Sequence, residues 1–150
     1  LAPYFQKLTK TIAINGTPLP IDNTYGIEEM VFAHTLANWN EQTRKKFNAR
    51  MCGGNAQLLE WQSYMSERTC EEQLQELQFL YDAIQKNTSH HCKLDGYRWT
   101  EAIIGNYDLI FTAKNQYNYW HNVTNYRTLP LPHMPFAAYT LWDELIHISQ

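Results

Sequence analysis

Along residues 11–21 apolar positions alternate with small or polar ones. Ile12 and Ile14 precede Asn15-Gly16, and Leu19 and Ile21 follow it. Period-two alternation marks a strand, and Asn-Gly supplies the two positive-φ positions of a type I′ turn. The pattern predicts a hairpin. Its second arm carries Pro18 and Pro20, which cannot donate to a ladder, so it belongs at a sheet edge or in extended coil. From residue 27 to 51 the spacing becomes helical through Ile27, Met30, Val31 and Ala37, with Glu28 and Glu29 suited to a first turn. Trp39 and Phe47 widen the stripe and point to two segments. Gly53-Gly54 breaks the pattern, and a short helix follows over 56–66. Thr69 and Glu72 form a capping box. Leu74, Leu77, Tyr81 and Ile84 then carry a helix to Asn87.

Residues 97–113 return to period two. Trp99, Glu101 and Ile103 alternate with Thr100, Ala102 and Ile104; beyond Gly105-Asn106, Tyr107, Leu109 and Phe111 alternate with Asp108, Ile110 and Thr112. This predicts a second hairpin with a type II′ turn. Lys114 to Asn118 reads as a turn, and Leu129 to Pro135 as a rigid, polyproline-like connector. Pro135 opens a last helix over 136–148, burying Ala138, Leu141, Trp142, Leu145 and Ile148. The expected fold is α+β: an antiparallel sheet from hairpins with helices packed on one face. It forms a single domain over 1–150, either whole or as a fragment or one chain of a larger protein.

Composition narrows the function. Of 150 residues, 44% are apolar, enough for a real core. A net charge of −3 argues against a nucleic-acid binder, and no apolar run is long enough for a transmembrane segment. The basic cluster Arg44, Lys45, Lys46 and Arg50 reads as a solvated helix face. His90-His91-Cys92 has metal-ligand residue types, but adjacent side chains diverge, so no metal is expected. Neither G-x-S-x-G, a Gly-rich phosphate loop nor H-E-x-x-H occurs. No spacing ties Cys52 or Cys70 to His34, His121 or His147. No catalytic residue and no cofactor are therefore assigned.

Three sequons, at Asn15, Asn87 and Asn122, each fall at a predicted turn or element end, where a glycan could be carried. They point to a secreted or extracellular protein, with the lysosome as a variant. Of the three cysteines, Cys70 lies in a helix first turn, whereas Cys52 and Cys92 lie in irregular chain beside helix ends. Cys52–Cys92 is the expected disulfide, leaving Cys70 buried or interchain.

Cys92, Trp99, the run Ile104-Gly105-Asn106-Tyr107-Asp108-Leu109-Ile110-Phe111 and Trp120, with the earlier segment from Ile14 to Asn23, resemble the peptide-platform fold of the major histocompatibility complex class I-like superfamily. The resemblance implies a cell-surface or secreted, non-enzymatic recognition protein: a class I-like ligand or viral decoy whose partner is a protein receptor. Two readings compete with it. One is a light chain or fragment of a secreted or lysosomal hydrolase completed by a second chain. The other is a small intracellular or phage inhibitor.

Overall fold

The computed structural model describes residues 8–64, 67–86, 98–139 and 141–146. Its sheet has three strands, β1 (Ile12–Ile14), β2 (Glu101–Gly105) and β3 (Tyr126–Leu129), in the order β1-β2-β3. Both pairings are parallel, with Ile12 opposite Glu101 and Ala102 opposite Tyr126. The antiparallel sheet expected from hairpins is therefore corrected to a parallel α/β layout. Ala102, Ile103 and Ile104 are at most 1% exposed, so β2 is covered on both faces. A central parallel strand reads as a continuous apolar run, and its alternation carries no information about a solvent face.

Local polar chemistry explains why neither hairpin closes. Past β2, the Asp108 carboxylate accepts from the Ile110 and Phe111 amides, both at 2.8 Å. Those N–H groups, which a hairpin arm would have used, are satisfied inside a turn. Thr112 then caps a helix, α5 (Ala113–Trp120), by accepting from Asn115 N, where a turn had been expected. Past β1, Asn15 does adopt a positive φ of 50°. The chain beyond it does not fold back: Ile21 bridges Ile27 in parallel.

Parallel neighbours need long crossovers. The β1-to-β2 crossover contains α1 (Glu29–Ala37), α2 (Glu41–Cys52), α3 (Asn55–Glu60) and α4 (Cys70–Lys86). Asn38 closes the first segment, and Asn40 caps the second, accepting from Gln42 N and Thr43 N while Thr43 Oγ1 accepts from Asn40 N. The capping box at Thr69 and Glu72 is formed. Thr69 N donates to Glu72 Oε2 at 2.7 Å, and Glu72 N donates to Thr69 Oγ1 at 3.2 Å. After β3 the single expected helix is instead a 3₁₀ turn, Pro135–Ala137, and a short helix, α6 (Trp142–Ile146). One face of the sheet buries Ala13, Ala102 and Ile104 against Trp120, and the other buries Ile103 against Leu131 and Leu145. Among the described residues no helix is long and apolar enough to cross a membrane.

Candidate functional site

Each strand delivers one polar residue past its carboxyl end: Asn15 directly after β1, Asp108 shortly after β2, and His133 after β3. Ligand and reaction sites of open parallel sheets form along this edge. His133 Nδ1 lies 2.9 Å from Asp108 Oδ2. The Asp108 side chain is fully buried, whereas that of His133 is 27% exposed. A carboxylate can only accept, so Nδ1 donates in this bond, and in the neutral form of the ring Nε2 keeps its lone pair.

The pair is held from several sides. Asp108 Oδ1 takes the two amides of its own turn, and Oδ2 also accepts from Gln116 Nε2 at 3.2 Å. Gln116, on α5, is fully buried, and its Nε2 also donates to Phe111 O at 2.7 Å. Asn15 Oδ1 accepts from Gly105 N at 2.8 Å, while its Nδ2 donates to the Pro132 and His133 carbonyls at 2.7 and 2.9 Å. Gly105 permits this approach. A Cβ there would stand 2.6 Å from Leu131 O and 2.7 Å from Asn15 Oδ1. Met134 N donates to Met51 O at 2.9 Å, so the end of α2 is tied to the chain beside the imidazole. A recess of about 470 Å³ opens next to the pair, lined in part by Cys52, Gly53, Tyr107, Leu109 and Pro132. Tyr107, Leu109 and Pro132 are chain neighbours of Asp108 and His133, although neither member of the pair lines the recess itself; a larger groove, about 730 Å³, lies between α1 and α4.

The residues singled out from sequence fall elsewhere or do other work. Asn15 is 5% exposed with both ends of its amide bonded, so it has no room for a glycan. Asn122 is exposed. Asn87 and Cys92 lie outside the described residues. Cys52 is a buried free thiol, and burial pushes its pKa up; Cys92, its expected disulfide partner, is not among the described residues. Cys70 is also free. Among the described residues no three His, Cys, Asp or Glu side chains converge as metal ligands. The site residues themselves were missed. The alternation along the chain places Asp108 at a strand position, and the proline run places His133 in a connector. Their order was the available signal: an Asp just past one apolar strand, then a His just past the next.

The fold and this pair define an α/β protein with a hydrogen-bonded Asp–His pair at the carboxyl edge of a parallel sheet. More narrowly, the chain belongs to the BioG family, described as pimeloyl-ACP methyl esterase, whose model matches residues 4–145. An uncharacterised protein of Haemophilus influenzae is 34% identical over 93% of this chain and 62% of its own length. The crystal structure of BioG from Haemophilus influenzae superposes with a TM-score of 0.81 at 35% identity, covering 92% of this chain and 62% of that one. A malonyl-[acyl-carrier protein] O-methyltransferase of Bacteroides fragilis is 38% identical over 79% of this chain but only 23% of its own length. The chain thus spans about three-fifths of the length of the Haemophilus proteins it matches.

These findings overturn the class I-like resemblance, which rested on a hairpin that is a parallel strand followed by a turn. The immune ligand or decoy, the inhibitor, and the glycosylated, disulfide-bonded secreted protein fall with it.

Proposed function

We propose that this chain supplies the acid and the base of a serine-type esterase that removes a methyl ester from an acyl chain borne by acyl carrier protein. The observation that carries the reading is the 2.9 Å bond between buried Asp108 and partly exposed His133. The two follow one another in the order Asp then His, as in Ser–Asp–His α/β hydrolases. Among the described residues no hydroxyl or thiol is bonded to His133, and the nucleophile of such a hydrolase precedes Asp108 in the polypeptide. His133 Nε2 takes the hydroxyl proton as the oxygen attacks the ester carbonyl, and returns it to the departing methoxy group as methanol. Water repeats the cycle on the acyl-enzyme. Asp108 fixes the tautomer and balances the imidazolium.

Both named relatives concern acyl groups on carrier protein. The match to the methyltransferase covers less than a quarter of that protein, so its printed activity need not reside in the shared part. The Asp–His pair favours hydrolysis.

The test measures release of methanol from methyl pimeloyl–acyl carrier protein by the intact polypeptide, alongside labelling by a fluorophosphonate. Asp108→Asn is expected to lower kcat on the order of 10⁴-fold, the scale seen when a triad carboxylate is neutralised. His133→Ala should abolish labelling of a serine ahead of Asp108. Labelling and turnover unchanged in His133→Ala would reject this function.

A further inference from the structure

We propose that Gln116 is a positioning residue for the Asp108–His133 pair, a role that rests on the esterase reading above. Its amide is aimed at two acceptors at once, Asp108 Oδ2 at 3.2 Å and Phe111 O at 2.7 Å. Neither can donate: one is a carboxylate already taking three N–H groups, the other a main-chain carbonyl. Only the orientation with nitrogen inward is therefore tolerable, since the reverse would set oxygen against oxygen. That orientation has a cost. Gln116 Oε1 is buried and accepts from nothing among the described residues. A buried glutamine that leaves its own oxygen unsatisfied to present both N–H groups to one turn is held there by what the turn must do.

The mechanical consequence is specific. Asp108 Oδ1 is fixed by amides of its own turn, but those contacts leave Oδ2, the oxygen that meets the imidazole, free to swing about them. Gln116 reaches across from α5, a different element, and blocks that rotation. By also holding Phe111 O it fixes the turn that carries the carboxylate. Asp108 and His133 are the titratable groups this cluster brings together.

The test compares the intact polypeptide with its Gln116→Leu and Gln116→Glu forms. It reads kcat and KM for methyl ester hydrolysis, the pH profile, and the His133 Nδ1–H resonance. Gln116→Leu should lower kcat about tenfold to a hundredfold with KM unchanged, the scale expected when a reacting group drifts by roughly 1 Å. The His133 resonance should shift or broaden. Gln116→Glu meets two acceptor oxygens and fits only as the neutral acid, which can keep one of the two bonds; its kcat should exceed that of Gln116→Leu at low pH and fall as pH rises and the added carboxyl ionises. A folded Gln116→Leu protein with unchanged kcat overturns the proposal. So does a loss fully accounted for by a smaller folded fraction, with an unmoved resonance and pH profile. If the unmodified polypeptide hydrolyses no methyl ester but the resonance still responds to Gln116→Leu, the esterase reading fails and the positioning role stands.

Discussion

Asn15 shows how much one side chain can carry. It takes a positive φ, caps the amide of Gly105 and holds the carbonyls on either side of the Pro132–His133 bond. Asn15→Ala removes all three bonds and leaves buried backbone groups without partners. It should destabilise the protein on the order of 3 kcal/mol, read from the denaturation midpoint at constant m-value. Asn15→Gly accepts the backbone angle freely, so the difference between the two variants isolates the conformational share, about 1 kcal/mol. The Asn-Gly dipeptide announced the positive φ. That the amide faced inward could not be read from it, because its partners lie at the other end of the sequence.

At the scale of elements, the helices were the most legible part, because their signals are local. The capping boxes at Asn40 and Thr69 lie within one turn of the residues they satisfy. Thr69→Ala should cost about 0.5–2 kcal/mol. The box also predicts a pH dependence. Bonds from the Thr69 amide and hydroxyl, with Arg68 nearby, hold the Glu72 carboxyl below its ordinary range. A depressed carboxylate contributes stability that is present above its unfolded value and lost as pH falls through the folded one. Acid titration should therefore fray the start of α4, and helicity followed against pH should lose that step in Glu72→Gln. Strand pairing was illegible for the opposite reason. Ile12 pairs with Glu101 across the whole helical crossover. Nothing in either segment states whether its neighbour runs parallel or antiparallel.

The molecule as a whole is unevenly packed. Its sheet core excludes water around Ala102, Ile103, Ile104 and Trp120, whereas α1 to α4 together bury only Phe32 and Cys52. Hydrogen exchange should divide accordingly: amides of β2 should exchange only through global unfolding, and those of α4 through local opening at lower free energy. Equal protection in both would contradict this.

The buried Asn15 amide has one more consequence, for the alignment of strands. Sliding β1 by a single residue against β2 would carry the amide about 3.3 Å along the sheet. Its oxygen would leave Gly105 N, and its nitrogen would leave both carbonyls of the His133 loop. An apolar side chain would tolerate such slippage; an amide with three fixed partners does not. The same bonds that choose the register therefore assemble the loops bearing Asp108 and His133, and a chain that folds in the wrong register cannot place the imidazole.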